Sequence, residues 1–493
     1  MNNTADENKE LTYILQNIPI AELQEHLKSG LSVKQIAEAI QSINGRKESL
    51  TEQPKNLDRF HITNDSGKIT GAFDYEIFKY IIENENIFVM GDTPYIYKNG
   101  VYKPDYNGSQ LKTMIRKLIY PKYIKSNTIR RIYDLFLQAS ELQVRYEELN
   151  QQPPYYINFL NGFYDALNDK FIEHSPKYKA INQVPHIYNP DERCSGDNIE
   201  EWFGQLFHSL DERKMILQYA GLCLTTDTRQ QKFLLITGDG GTGKSQLIRL
   251  FDSAVGSENI SNVPLEELNQ RFASFGVMGK LMNSCADLKI TVLDDISMLK
   301  KLLGEDTIRA EQKGKDAVFF KNYSKLLFSI NGLPTVINER SNALYRRLLI
   351  FEMSKPPENI SIDFFDKINS EIDYFIQISV QALHEMYSEH NGIITEAQSS
   401  KEQIKHFQED NDTVEAFLNA ETSKIQSGRI DRVVLYSKYE EYCSENERQS
   451  LSKTNFYKAL RTKGYSEISS CGTNFFKGLI FNKDILTTDN PPF

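Results

Sequence analysis

The stretch FLLITGDGGTGKSQLI, Phe233 to Ile248, constrains this chain more than any other. A short apolar run feeds a loop with four glycines in the eight residues Gly238 to Ser245, and an apolar helical pattern follows. Gly238-Asp239-Gly240-Gly241-Thr242-Gly243-Lys244-Ser245 fits G-x-x-x-x-G-K-[ST] in full. Glycine lets backbone N–H groups turn inward around an anion in conformations that side chains obstruct. A helix opening near Lys244 points its positive end at the same place. The ligand this predicts is a nucleotide phosphate chain. Lys244 would reach the β- and γ-phosphates, and Ser245 would hold Mg2+. The predicted fold around it is a parallel sheet flanked by helices.

Such a site needs a second carboxylate at the end of a neighbouring strand. Two segments offer one. Ile290 to Asp295, ITVLDD, is strongly apolar. Yet DDISMLKKLLG reads as a helix, with Asp294 as N-cap, Ile296, Leu299 and Leu303 on one face, and Gly304 closing it. The alternative is Asp287, which ends GKLMNSCAD, a weakly apolar strand after a Gly279-Lys280 turn. On pattern alone the two stand even. Asn331 ends the apolar strand of YSKLLFSINGLP, where an amide can sense the γ-phosphate or simply form a turn. Arg346 and Arg347 precede a further apolar run, either as solvated charge or as a cation offered to a neighbouring subunit's γ-phosphate. Lys313 and Lys315 flank Gly314 at the tip of a short hairpin pattern. An exposed basic turn is the plainer reading, and a contact to a nucleic-acid backbone the sharper one.

A chain of 493 residues is too long for one core, so about three domains are expected. Residues 1–55 read as a small helical pair, with Ser32 as an N-cap, and a polar linker. Residues 56–197 read as α+β, with hairpin turns at Asn99-Gly100, Asn161-Gly162 and Asn168-Asp169. Their many tyrosines fit strand packing better than base stacking. Residues 198–400 hold the nucleotide core and its flanking helices. No run approaches the roughly 18 apolar residues of a membrane span. Five widely spaced cysteines without C-x-x-C argue against a zinc ribbon or disulfide framework and fit the cytoplasm. A net charge of −10 gives no whole-chain support for a nucleic-acid partner, so local patches decide.

Residues 411–484 read as a winged helix: helices near 412–420 and 433–446, a third in SKTNFYKALRTKG, and a wing strand in FFKGLIF. From Lys424 to Lys477 there are ten Lys or Arg against six Asp or Glu, the sign expected for phosphate contact. The third helix would present Lys453, Asn455, Lys458, Arg461 and Lys463 to DNA, and a protein-docking module is the alternative.

The ordered series of phosphate loop, GKLMNSCAD, LKKLLGEDTIRAEQKGKD, KLLFSINGLP and YRR resembles superfamily-three helicases of the AAA+ class. It resembles above all the poxvirus-type and phage/plasmid primase–helicases, including replication initiators of mobile genetic elements. The likeness covers roughly residues 90–355, and more weakly the C-terminus. It implies a multidomain α/β protein with an AAA+ P-loop core, an upstream α+β domain and a C-terminal winged helix. It places the magnesium carboxylate at Asp287 and leaves Asp294 and Asp295 as helix starters. It makes Asn331 a sensor, Arg346 or Arg347 the trans-acting arginine, and Lys313 a DNA-tracking residue. Gly304-Glu305-Asp306 departs by one glycine from the family's turn before that lysine. The implied cofactors are ATP and Mg2+. The implied partners are single- and double-stranded DNA, including a replication origin, and further copies of the chain in a hexamer, with no membrane.

The expected activity is ATP-driven DNA unwinding at the start of replication of a phage, plasmid or genomic island. A non-unwinding AAA+ origin-binding or helicase-loading factor is the alternative. A DNA-binding scaffold with a vestigial loop is disfavoured by the intact Lys244-Ser245 pair. A metabolite kinase is disfavoured because no acceptor pocket motif is apparent. No cluster of metal carboxylates suggests a primer-synthesising domain.

Overall fold

The strands β1 (Phe233–Thr237) and β4 (Lys325–Ile330) are buried at every residue. Such strands need partners on both edges and cover on both faces. In the computed structural model they lie inside a five-stranded, all-parallel sheet with β2 (Ile260–Ser261), β3 (Met282–Leu288) and β5 (Leu348–Glu352). The spatial order is β2-β3-β4-β1-β5. The structure describes residues 57–482 apart from 289–291, 294, 315, 337–342, 357–360, 447, 449 and 471. The helical pair expected over 1–55 lies outside the described residues.

Alternation along β1 divides the core into two layers. Leu234 and Ile236 face one hydrophobic cluster with the helices α1 (Leu210–Cys223), α2 (Lys244–Val255) and α4 (Ile372–Glu389). Phe233 and Leu235 face a second cluster, which holds α3 (Ser297–Leu303) and Phe407 from α5 (Gln398–Asn411).

The upstream region is two units by its packing. Residues 57–142 bury a core of their own. Its meander turns at Asn99 and Gly100, both at positive φ (50° and 95°), between Thr93–Lys98 and Val101–Pro104. The next strands, Tyr156–Phe159 and Gly162–Asp165, send Ile157, Phe159 and Tyr164 into the same cluster as α1, α2 and α4. The expected border near residue 197 therefore cuts through a shared core. Polar groups tie the same seam: Asn182 donates to Asn259 Oδ1 (3.1 Å) and to the Gly279 carbonyl (2.9 Å), and Tyr323 OH donates to Asn182 Oδ1 (2.7 Å).

The C-terminal unit is separate again. Helices α6 (Thr413–Glu421), α7 (Arg432–Glu445) and α8 (Lys453–Thr462) pack on an antiparallel sheet. Its central strand Thr473–Phe481 lies between Thr422–Asp431 and Glu467–Ser470. Phe417, Leu435, Tyr439, Phe456, Leu460, Phe476 and Leu479 fill its core.

Candidate functional site

The glycines of the loop are needed where the backbone turns. Gly238, Gly241 and Gly243 have φ of 143°, 85° and 93°, which side chains rarely tolerate. At Gly238 there is also no room, since a Cβ would lie 2.2 Å from the Met353 carbonyl oxygen. Gly240 and Gly241 border open space. Thr242 Oγ1 donates to the Asp239 carbonyl (3.0 Å) and ties the loop to itself. Gly243 then starts α2, so Lys244 and Ser245 are its first residues.

Lys244 is 4% exposed, and its ammonium is held on three sides. It donates to the carbonyls of Gly238 (2.7 Å) and Asp239 (2.9 Å) and to Asn331 Oδ1 (2.9 Å). Asn331 follows directly on β4 and is exposed. Residues 87 positions apart thus meet at the carboxyl ends of adjacent strands. In open parallel sheets that crevice is where ligands bind.

The two carboxylate candidates separate in space. GKLMNSCAD supplies β3, a member of the main sheet beside β4. Among the described residues Val292–Leu293 pairs with Thr335–Val336, in a two-stranded ribbon outside it. Asp287 sits exposed at the carboxyl end of β3, at a register break between Cys285 and Leu288, with φ of 56°. Its N–H donates to Ser329 Oγ of β4 (3.0 Å). Ser329 escaped the sequence reading, although a serine inside the otherwise apolar KLLFSI was a signal. Ser284 Oγ donates to Asp252 Oδ1 (2.7 Å) and fastens β3 to α2; burial holds that carboxyl above its usual range.

The helix after ITVLDD begins later than expected. It runs from Ser297, and Asp295 Oδ1 accepts the Ser297 N–H (2.8 Å). Asp294, the expected N-cap, lies outside the described residues. Ile296, Leu299 and Leu303 are buried together, as their spacing predicted.

The arginine pair splits. Arg347 is half-buried and donates to the Ala343 carbonyl (2.9 Å), whereas Arg346 is exposed. The hairpin pattern forms a real ribbon, Thr307–Ala310 against Val318–Lys321, with Lys313 exposed at its tip. Lys315 lies outside the described residues.

Structure also sorts the cations of the C-terminal unit. Lys453 and Lys458 are exposed on α8. Arg461 is fastened to Glu467 (2.6 Å), which also holds Arg432 (2.9 Å). Lys463 bridges Asp412 (2.6 Å) and Glu415 (2.7 Å) of the first helix, so its expected place on a DNA-facing surface gives way to an internal tie. Charge spacing along α8 could not reveal these partners, which come from other elements.

Comparisons with known proteins fall on the same segments. Residues 76–208 match the family described as "D5 N terminal like", residues 236–347 a family of unknown function (DUF5906), and residues 409–467 the "Poxvirus D5 protein-like" family. A protein of Acanthamoeba polyphaga mimivirus described as "Putative helicase L207/L206" is 25% identical over 264 residues, 50% of this chain and 26% of that protein. The chain thus spans about a quarter of that relative's length. The apo structure of the NrS-1 C terminal region, A form, is 14% identical over 81% of this chain and 97% of that one, with a TM-score of 0.47. A second NrS-1 C-terminal structure (305–718) is 14% identical over 82% and 99%, with a TM-score of 0.48. D5-type segments thus flank the glycine loop on both sides, and together with the putative helicase relative they support a phage- and poxvirus-type primase–helicase family.

Proposed function

We propose that this chain is an ATP-dependent, ring-forming DNA helicase and initiator of superfamily three, AAA+ class, which opens duplex DNA for replication of a phage, plasmid or genomic island. The observation that carries the reading is the contact of Lys244 with Asn331 across β1 and β4, in a chain with D5-type modules on either side. An ammonium held by two carbonyls and an amide is poised to exchange them for phosphate oxygens. Asn331 would then serve as the γ-phosphate sensor.

Ser245 and Asp287 are the protein oxygens for Mg2+. Among the described residues no group of three or more His, Cys, Asp or Glu could hold an ion alone. That fits Mg2+, which takes one or two protein oxygens and fills its shell with phosphate and water. When bound, it would neutralise charge building on the phosphates.

Arg346, exposed while Arg347 is tied back, is the arginine we assign to a neighbouring copy's nucleotide in a hexamer. The Lys313 ribbon would grip a strand in the central pore. The C-terminal unit, read as a winged helix, would hold duplex DNA through Lys453 and Lys458, with Arg461 in a lesser role. None of the described helices is long and apolar enough to cross a membrane, and the proposed place of work is the cytoplasm.

The test is ATP hydrolysis and strand separation on forked DNA. The reading expects hydrolysis stimulated by DNA and unwinding that needs ATP. Hydrolysis without strand separation, alone or at an origin, overturns it. Slow hydrolysis with ATP-dependent DNA binding then favours an origin-binding or loading factor.

A further inference from the structure

A strongly basic stretch lies outside the proposed ATPase core and the C-terminal unit. From Ser109 to Tyr133 there are seven Lys or Arg and no Asp or Glu, in a chain of net charge −10. The segment is two helices, Ser109–Lys117 and Ser126–Gln138, and the connection between them. Leu111, Ile115, Leu118, Ile119, Ile129 and Ile132 enter the core of residues 57–142, which fixes the inward face. Arg116, Lys122, Lys125 and Arg130 are left exposed around the junction.

Some cations here have partners. Arg131 forks onto Asp74 (2.8 and 3.3 Å), and Arg130 lies 4.0 Å from Asp134. Arg116, Lys122 and Lys125 have no acidic partner among the described residues. Lys112 and Arg116 lie one turn apart on the same helix, a spacing at which like charges repel. A surface that served only solubility would mix its signs.

The junction is also built to hold still. The Tyr120 ring stacks on His61 (centroids 4.7 Å apart), its N–H donates to His61 Nε2 (3.2 Å), and its hydroxyl donates to Asp58 Oδ1 (3.0 Å). Pro121–Tyr123 then forms a 3-10 turn that carries Lys122. Beyond it, Ile124 (38% exposed) and Lys125 lead into a 13-residue helix, and no side chain caps that helix's first N–H groups. Exposed cations about a pinned turn, an exposed apolar side chain and open backbone donors suit a polyphosphate chain running past the junction.

We infer that Arg116, Lys122 and Lys125 form a nucleic-acid backbone site on the upstream domain, distinct from the pore ribbon and the C-terminal unit. It reads phosphate, not sequence. The inference rests on the reading above only in its choice of polyanion. The site would feed or steady the strand leaving or entering the ATPase ring.

Fluorescence anisotropy with labelled oligo-dT, and with a duplex of equal length, tests this on the full-length protein across a salt series. The variant is Arg116→Gln/Lys122→Gln/Lys125→Gln. The control is Lys79→Gln/Lys367→Gln/Lys405→Gln, which neutralises lysines that sit in helical ion pairs elsewhere. The triple variant should bind oligo-dT about tenfold or more weakly at low salt, and its log affinity against log salt should flatten by about 2. Its thermal unfolding midpoint should match wild type, and the control should change neither quantity. An unaltered salt slope overturns the inference and leaves the helicase reading standing. Wild-type protein that binds neither probe overturns both. An unaltered slope with a lost oligomer, seen by light scattering, would give the patch to a subunit contact and also refute the proposal.

Discussion

Two lysines lie almost fully buried at opposite ends of one sheet. Lys244 is 4% exposed beyond the end of β1, and Lys325 is 5% exposed at the start of β4. Both ammonium groups donate to carbonyl oxygens. The partners of Lys244 belong to a glycine loop bordering open space and to an exposed amide. Those of Lys325, the carbonyls of Thr225 and Tyr323, are pinned: Thr225 Oγ1 donates to the Leu222 carbonyl (2.8 Å), and Tyr323 OH donates to Asn182 (2.7 Å). Burial alone therefore does not mark a functional cation. What marks it is whether its partners can be exchanged for a ligand's oxygens without unfolding anything.

The largest expected effect breaks the symmetry between the two. Lys244→Met should cut ATP hydrolysis by about 10²–10³-fold or more, because the proposed function aims this cation at the transferred phosphate. Lys325→Met should leave hydrolysis near wild type. Steady-state ATPase measurements on the two variants decide it. Equal losses would mean that the far end of β4 also controls catalysis, and the contrast would fail.

A smaller effect separates the anchored and the open parts of the loop. Gly238→Ala forces a Cβ to 2.2 Å from the Met353 carbonyl at a φ of 143°, so it should cost about 3 kcal/mol of stability. Gly240→Ala meets nothing within 4 Å and should cost less than about 1 kcal/mol. Urea unfolding midpoints would show the order. Equal costs would mean that the whole loop is clamped, and Lys244 would then resemble Lys325 after all.

How much of this was legible depended on where each constraint originates. The glycine loop and the start of α2 could be read in full, because positive φ at Gly238, Gly241 and Gly243 is a local necessity. The third helix of SKTNFYKALRTKG and the hairpin about Gly314 were legible as local patterns and lie where those patterns put them. The place of Asp287 was not legible from hydropathy, since β3 buries polar residues that are satisfied by neighbours. Asn283 accepts from Ser261 Oγ (2.8 Å) and the Val263 N–H (2.9 Å), so a strand with a weak apolar pattern still lies in the main sheet. Lys463 parts from Lys458 through Asp412 and Glu415, partners from another helix that no short window contains. Arg347 parts from Arg346 through the Ala343 carbonyl only four residues away, a local contact that residue type alone does not announce. The upstream basic junction was present as a run of unopposed charge, but its exposure follows only from which side the helices bury.

The smallest effect probes what it costs to keep Lys325 inside. Burial pulls its pKa from the ordinary 10.5 down to about 8, although Cys223 and Asp227 oppose the shift. Below pH 8 the amine is protonated both folded and unfolded, and the folded state carries the penalty in full. As pH rises through 8 the folded protein gives up its proton first. The unfolded chain then binds more protons, so stability from this group rises with pH until about 10.5. Tyrosines such as the buried Tyr188 and the half-buried Tyr374, pushed up to about 12, work in the opposite sense, but only above their unfolded value of 10. The clean window is therefore pH 8 to 9.5. Across it wild type should gain about 1–2 kcal/mol relative to Lys325→Met, read as the difference between their urea unfolding free energies. Parallel curves would show that Lys325 is hydrated or paired better than its burial implies. The contrast with Lys244 would then rest on catalysis alone.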